Sequence, residues 1–288
     1  MKVIIPTAIC IVLTVFACDS NKDEEKNKVR SDNTEWERIE AHQKYTAPEL
    51  IEAYPEDSLG YTFEADYSLL SPKSKDGTHY PFLDSLSLYL ISRLDTTLDA
   101  TKKETPQVLL DQYVGEKLNR YKFMIKNSGS MFEDGYGSYA FIETHSLTDS
   151  LVYDNDGLVS ILSDWWAFTG GAHGNWGHYA TNIDFNTAKI LSDTALFAEG
   201  SEGEINRLLL STLMKDLGVS DIQVLKDSIY INPDAVVMNG NFYFQEDGIT
   251  YIYQPYEIAP YANGETFVHL PYSVLAPFLK EEYVYLAD

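Results

Sequence analysis

The chain has 288 residues, of which 44% are hydrophobic, which is enough to bury a core in one large or two small domains. Its 21 basic and 44 acidic side chains give a net charge of −23. Nucleic acid is bound by clustered Lys and Arg, so this balance excludes it as a partner. The acidity suits a soluble protein, and it also favours cationic partners through long-range attraction.

Residues 1–17 have the pattern of a signal peptide. Lys2 precedes an apolar run that ends at Cys18 and is too short for a stable membrane span. The four residues that end at Cys18, V-F-A-C, resemble a bacterial lipobox, which implies cleavage before Cys18 and acylation, with palmitate among the chains. We therefore expect a lipoprotein anchored in the outer membrane of the cell envelope, facing the periplasm or the surface. An ordinary secretory signal with an incidental cysteine is the alternative.

Cys10 and Cys18 are the only cysteines in the sequence. Cys10 lies in the signal and Cys18 is expected to carry lipid, so we expect no thiol for a disulfide, a metal site or a nucleophile. Residues 18–56 are expected to hold the lipidated cysteine, a polar tether and a short helix within residues 35–54. Pro48 in that segment is compatible with the start of a second helix.

The next segments alternate between strand and helix patterns. Residues 60–70 alternate apolar and polar side chains, which predicts a strand with one apolar face. Helical spacing follows at residues 81–98 and 106–127. Further strands are predicted at residues 138–146, 151–153, 158–169 and 176–185, a helix at 202–217, a hairpin at 236–245 and 249–254, a strand at 265–270 and a helix at 271–279.

This order is not a regular strand–helix–strand array. It predicts an α+β fold of two lobes, each with an antiparallel sheet packed by helices. We expect the N-terminal lobe at residues 57–190, the C-terminal lobe at residues 191–282 and a tail at residues 283–288.

The stretch 165–186, WWAFTGGAHGNWGHYATNIDFN, concentrates tryptophan, histidine and glycine. His173 and His178 are five residues apart, whereas a zinc pair on a helix needs three or four. The glycines between them argue against a helix, so we predict no metal and no cofactor, and we favour histidines that bond to the backbone. Exposed aromatic faces can stack on sugar rings. The candidate binding residues are Trp165, Trp166, His173, Trp176, Tyr256 and Tyr261.

Catalytic motifs are weak in this sequence. It contains neither a G-x-S-x-G nucleophile elbow nor a phosphate loop. Its 44 acidic residues nominate no pair of glycosidase carboxylates. Asp164, beside two tryptophans, is the most plausible general acid, because aromatic walls help to keep a carboxylic acid protonated. The sequence favours a protein without enzymatic activity, and it leaves open an envelope-glycan hydrolase or esterase that uses His173 or Asp164.

Several segments together resemble a known family. Residues 168–174 read F-T-G-G-A-H-G, and residues 242–264 read F-Y-F-Q-E-D-G-I-T-Y-I-Y-Q-P-Y-E-I-A-P-Y-A-N-G. Over residues 57–280 the chain resembles the extracellular region of the RsiV-type anti-sigma factor. It also resembles the paired domains of unknown function that precede the catalytic domain in PdaC-type peptidoglycan deacetylases.

The resemblance implies binding rather than catalysis, because the RsiV-type extracellular region is a receptor for lysozyme. The motifs of the deacetylase domain do not occur in this sequence, so that activity is not implied, and neither is sigma-factor control. We therefore expect a non-enzymatic binding module at the cell envelope, with lysozyme or peptidoglycan as its partner.

Overall fold

The computed structural model describes residues 29–53, 61–94, 104–127 and 138–288. The predicted signal peptide, Cys18 and the start of the predicted tether lie outside these ranges. The described strands are β1 (Thr34–Thr46), β2 (Thr62–Ser74), β3 (Glu143–Asn155), β4 (Leu158–Thr169), β5 (Asn175–Asp184), β6 (Lys189–Ile190), β7 (Phe242–Gln245), β8 (Gly248–Tyr253) and β9 (Thr266–Pro271).

The described α-helices are α1 (Pro48–Ala53), α2 (Pro81–Ser92), α3 (Pro106–Asn127), α4 (Asp193–Leu196), α5 (Glu202–Asp216), α6 (Ile222–Asp227) and α7 (Tyr272–Leu275). Short 3₁₀ turns lie at Ser31–Asn33, Ser138–Phe141, Pro233–Ala235, Tyr261–Asn263, Ala276–Phe278 and Glu281–Ala287. None of the helices in the described ranges is long and apolar enough to cross a membrane.

The strands form two sheets. The larger has the order β1-β2-β3-β4-β5-β6, and the smaller has the order β7-β8-β9. All neighbouring strands are antiparallel except β2 and β3, which are parallel. A parallel pair needs a long crossover, and the chain between β2 and β3 supplies it with α2 and α3. The predicted α+β fold, with antiparallel sheets packed by helices, is confirmed, and the parallel pair is an addition to it.

Helices α2 and α3 cover one face of the six-stranded sheet. Strand β2 points Phe63 and Ala65 into this core, while Glu64 and Asp66 point to the opposite face. At the end of α2, Arg93 donates from Nη2 to Oδ2 of the fully buried Asp149, at 2.9 Å. The same guanidinium donates to hydroxyl groups on β4 and β5, so α2 is tied to three strands through one side chain.

The three-stranded sheet packs against α5 and against strands β4 and β5 of the larger sheet. Two buried polar side chains fix that contact. Ser160 donates to the side chain of Asn182 at 2.6 Å and accepts from the backbone N–H of Phe244 at 3.0 Å. Asn182 donates to the backbone oxygen of Phe242 at 2.6 Å. Because these groups are buried and mutually satisfied, they hold the two sheets in one register.

Two helices were expected within residues 35–54, and the first of them, ahead of Pro48, is wrong. Thr34–Thr46 forms strand β1, which pairs with β2 along its whole length. Its buried positions Ile39 and Ala41 are two residues apart, which is a strand period. The helix compatible with Pro48 is present as α1. The folded region therefore includes residues that had been assigned to the tether.

Other boundaries differ as well. The strands expected at residues 138–146 and 151–153 are one strand, β3, after a 3₁₀ turn, and the strand expected from residue 236 begins at residue 242. The helix expected over residues 81–98 ends at Ser92, with residues 95–98 outside the described ranges. Residues 283–288, expected to be a tail, include Tyr283, which is buried and donates to the buried Asp184 at 3.0 Å.

Candidate functional site

Two tryptophans of the candidate set lie side by side on one sheet face. Trp166 on β4 and Trp176 on β5 are direct cross-strand partners, so their indole rings share a face. Trp165 is the neighbour of Trp166 along the strand and points to the opposite face. There its ring stacks on Tyr179, with centroids 5.9 Å apart and planes at 12°. Trp165 is therefore separated from the other candidates.

The loop between β4 and β5 brings His173 beside these rings. A Cβ atom at Gly174 would lie 2.5 Å from the Trp166 indole, so the absence of a side chain lets this ring lie directly on the loop backbone. The Trp176 ring lies in the same way against Gly264, where a Cβ atom would be 3.6 Å away. The contact of Trp176 with Gly264 joins the β4–β5 hairpin to the ANG segment of the C-terminal part.

His173 stacks on Tyr261, with ring centroids 4.1 Å apart and planes at 24°. Its Nδ1 lies 2.9 Å from the carbonyl oxygen of Gly174, which also accepts from the Tyr261 hydroxyl at 2.8 Å. A carbonyl can only accept, so Nδ1 carries a proton and donates to it. The Tyr256 hydroxyl lies 3.4 Å from Nε2. His173 thus bonds to backbone and tyrosine, as a structural histidine does.

We call Trp166, His173, Trp176, Tyr256 and Tyr261 the aromatic strip. Tyr256 is 61% exposed and Trp166 is 39% exposed, while Trp176 and Tyr261 are half-buried. The strip therefore combines freely accessible ring faces with members that are held by packing and hydrogen bonds. Fixed aromatic rings give up little conformational freedom when a partner covers them, which favours binding.

Beside the strip, side chains replace a missing neighbour strand. In the described sheet, β6 pairs with β5 only at its end, so the edge at residues 178–180 has no strand beside it. Asn241 accepts from the N–H of Ala180 at 2.9 Å and donates to the carbonyl of His178 at 3.0 Å. Gln254 donates to the same carbonyl, and Glu265 accepts from the N–H of His178 at 2.7 Å. We call Asn241, Gln254 and Glu265 the edge cap.

The edge cap also creates a histidine–carboxylate pair. The second oxygen of Glu265 lies 2.7 Å from Nδ1 of His178, and its carboxylate side chain is only 2% exposed. Asp164 is the direct cross-strand partner of His178 and is exposed on the same face. The sequence had pointed to His173 and Asp164, whereas the structure places a carboxylate against His178. No group of three or more His, Cys, Asp or Glu side chains within the described ranges could hold a metal ion.

An acidic sheet face continues from the strip. Cross-strand pairing aligns Asp66 of β2, Ser146 of β3 and Trp166 of β4, and it aligns Thr148 with Asp164 in the next row. Asp66 and Asp164 are exposed, and neither has an ion-pair partner among the described side chains. We call these five residues the open sheet face. It puts uncompensated negative charge next to exposed aromatic rings.

The site is a surface rather than a deep pocket. A shallow cavity of about 600 Å³ lies at the other end of the β3–β4 hairpin, where Tyr153, Asn155 and Glu246 contribute to its lining. The aromatic strip lies at the opposite end of β4 and does not line this cavity. A surface of this shape is suited to a large partner more than to a small enclosed substrate.

Comparisons with known proteins agree with this architecture. Residues 194–273 match the DUF3298 family model, which is described as a protein of unknown function. This segment contains Tyr256, Tyr261 and the whole edge cap. No curated protein matches the chain.

Two solved structures share the fold. A member of the DUF3298 family from Bacteroides fragilis NCTC 9343 has a TM-score of 0.75 at 20% identity, over 89% of this chain and 97% of that chain. A DUF3298 family protein from Pseudomonas aeruginosa PAO1 has a TM-score of 0.54 at 18% identity, over 86% and 95% of the two chains. Residues 194–273 therefore form a DUF3298 domain, within a fold that solved DUF3298 proteins share.

Proposed function

We propose that this protein is a non-enzymatic binding module of the cell envelope, anchored by lipid on Cys18, and that the aromatic strip is its binding surface. The observation that carries the proposal is the convergence of Trp166, His173 and Tyr256 on one accessible surface. These residues come from two segments more than 80 positions apart in the chain, and the contact between the Tyr256 hydroxyl and His173 spans 83 positions. Tyr and Trp are the residues that most often dominate the energy of binding interfaces.

Charge supports a cationic protein partner. The open sheet face adds the carboxylates of Asp66 and Asp164, and the whole chain has a net charge of −23. Lysozyme is a basic protein of the envelope environment, and the resemblance to the RsiV-type receptor points to the same partner. Opposite charges would speed the encounter of the two proteins and make binding weaken as salt rises. Peptidoglycan, whose sugar rings can stack on indole faces, is the second ligand that this surface suits.

Titration calorimetry with hen lysozyme at several salt concentrations tests the proposal. We expect heat of binding at low salt and a progressive loss of affinity as salt is added, because the charges are screened. Absence of heat at low salt would refute the lysozyme form of the proposal. Retention of the protein on purified peptidoglycan, assayed in parallel, would then identify the glycan as the ligand.

A hydrolase or esterase for envelope glycans is the second candidate, and one observation favours it. The buried carboxylate of Glu265 holds Nδ1 of His178, which leaves Nε2 as a potential proton acceptor beside Asp164. One observation argues against it: the other oxygen of Glu265 accepts a hydrogen bond from the backbone N–H of His178, so Glu265 also caps the edge of the sheet. His178→Ala and Asp164→Ala discriminate: an enzyme would lose turnover of glycan substrates in both variants, whereas a binding module has no turnover to lose.

A further inference from the structure

Two tyrosines have a backbone conformation that L-residues with large side chains rarely adopt. Tyr230 has φ of 61° and Tyr256 has φ of 71°, both in the left-handed region. They are also highly exposed, at 65% and 61% respectively. Among the described residues other than glycine, only Asp156 and Ala188 share a positive φ. Burial offsets little of this strain, because most of each side chain is exposed, although the Tyr256 ring also contacts His173 and Tyr261.

Both positions are ones where glycine or asparagine is the usual residue. At Tyr256, the N–H of Glu257 donates to the carbonyl of Gln254 at 3.0 Å, which closes a four-residue turn. Pro255 is second in that turn and the residue with positive φ is third, which is the pattern of a type II turn that favours glycine.

Tyr230 lies just after helix α6. The N–H of Ile231 donates back to the carbonyl of Leu225 at 3.1 Å, so the chain reverses at the helix end. Tyr230 is the second residue after the C-cap Ser228 and has a left-handed conformation, which glycine adopts without strain because it has no Cβ. At both positions the sequence keeps a large aromatic residue where glycine would relieve the strain.

The two tyrosines belong to adjoining loops. The N–H of Asn232 donates to the carbonyl of Ile258 at 2.7 Å. The side chain of Asn263 donates to the carbonyl of Ile229 at 3.0 Å. These bonds fix the loop that carries Tyr230 against the loop that carries Tyr256 and Tyr261. The loop of Tyr230 therefore extends the surface of the aromatic strip.

The charge of these loops is one-sided. Residues 227–234 read DSIYINPD and residues 254–265 read QPYEIAPYANGE, so together they contain four acidic residues and no Lys or Arg. Asp227 and Asp234 are exposed and Glu257 is half-buried, whereas the side chain of the fourth, Glu265, is buried against His178. Tyrosine faces attract ammonium and guanidinium groups, and nearby carboxylates add to that attraction. The surface thus complements a partner that presents Lys or Arg side chains.

We propose that Tyr230 and Tyr256 are anchor residues for a basic protein partner, held outward by a strained backbone at the expense of stability. The proposal rests on the proposed binding function and adds Tyr230, which lies outside the aromatic strip, to the contact surface. It predicts that glycine is more stable than alanine at these two positions and that loss of either ring weakens binding, a combination that a purely structural role would not produce.

The stability test compares Tyr→Gly with Tyr→Ala at each position. Both changes remove the ring, but only glycine removes the Cβ that makes the left-handed conformation costly. We expect the Tm of the glycine variant to exceed that of the alanine variant by about 2–4 °C at positions 230 and 256. The control is Phe123, which is 69% exposed on helix α3. There glycine should lower the Tm relative to alanine, because it weakens a helix.

The binding test uses hen lysozyme and a hexa-arginine peptide as probes, with the purified protein in calorimetry at low salt. Tyr230→Ala and Tyr256→Ala should each weaken binding of a probe about tenfold, and Phe123→Ala should leave it unchanged. If the wild type binds and both tyrosine variants bind equally well, the proposed function stands and the anchor role is refuted.

Two other outcomes would also overturn the inference. A wild type that binds neither probe would refute the basic partner, and a loss of chitin-oligosaccharide binding in the tyrosine variants would assign the rings to a neutral glycan instead. Glycine variants less stable than the alanine variants at both positions would refute the strain.

Discussion

The side-chain amide of Gln254 occupies the space that a Cβ atom would need at Gly177. Glycine at this position lets Gln254 pass close enough to β5 to donate to the carbonyl of His178. The edge cap of Asn241, Gln254 and Glu265 therefore depends on a residue of the other sheet that has no side chain. Since the cap and the aromatic strip share the same loops, the geometry of the strip depends on it as well.

Gly177→Ala should lower the free energy of unfolding by about 1–3 kcal/mol, because the new methyl group overpacks the contact with Gln254. Urea denaturation measures this change. Gly115→Ala is the matched control, since nothing lies within 4 Å of its Cβ position and it lies inside helix α3. That control should raise stability by about 0.5–1 kcal/mol.

A double variant sharpens this prediction. The double variant Gly177→Ala/Gln254→Ala lacks the clashing amide. Gly177→Ala should therefore lower the free energy of unfolding less in the Gln254→Ala background than in the wild type. If the two effects simply add, the close contact between residues 177 and 254 does not govern this edge.

Asp149→Ala should destabilise the protein by about 3–5 kcal/mol, because it leaves the guanidinium of Arg93 without its buried carboxylate. Asp149 is fully buried, and it also accepts from Ser163 at 2.6 Å and from the N–H of Leu70 at 3.1 Å. Glu37→Ala, which removes an exposed partner of Lys73, is the control and should change stability little. Equal effects of the two variants in urea denaturation would contradict the anchoring role assigned to this network.

Asp193 should make stability depend on pH. Burial raises the pKa of its carboxyl, although hydrogen bonds from the backbone N–H groups of Thr194 and Gly240 oppose part of the rise. A raised pKa in the folded state gives a contribution that is fully present below about pH 4, the ordinary value for Asp, and is lost as pH rises through the folded pKa. In Asp193→Asn this titration is absent. The stability of the variant minus that of the wild type should therefore increase with pH across that window.

Denaturation of both proteins at a series of pH values measures this difference. A constant offset is expected from the hydrogen bond that the amide cannot replace, and only the slope tests the titration. A difference that falls as pH rises, or that stays flat from pH 4 upward, would contradict the raised pKa.

Cys18→Ser should prevent lipid attachment and shift the protein from the membrane fraction to the soluble fraction. The reason is that acyl chains, at about 0.8 kcal/mol for each buried CH₂, supply the membrane affinity. Metabolic labelling with palmitate measures it, and Cys10→Ser is the control that should label normally. Labelling that persists in Cys18→Ser would show that this cysteine is not the lipidated residue.

The secondary structure followed from the sequence where one period dominated. Helix α3 and strand β4 have the predicted bounds. The apolar residues of α3 repeat at helical spacing, and those of β4 fill a short run between turns. Strand β1 was mistaken for a helix, because its exposed residues are charged and its few buried positions gave a weak period. Pairing with β2 over its full length decided its conformation, and that tertiary interaction is not visible in a local pattern.

The candidate site was predicted in its residue types more than in its geometry. The alternation of side chains along β4 already places Trp165 and Trp166 on opposite faces, so their separation follows from a strand that the sequence predicted. The contact of His178 with Glu265 spans 87 positions, and no local pattern predicts which acid meets which histidine. Tyr230 carried no sequence signal, since its distinguishing feature is a backbone angle that only the folded chain reveals.

The central claim is that the aromatic strip binds a basic envelope protein, and calorimetry of hen lysozyme against wild type, Trp166→Ala and Phe123→Ala tests it most directly. We predict binding at low salt for the wild type and for Phe123→Ala, and binding at least about tenfold weaker for Trp166→Ala, whose ring is a central member of the strip. Equal affinity of Trp166→Ala and wild type, or no heat of binding for any of the three proteins, would contradict the claim.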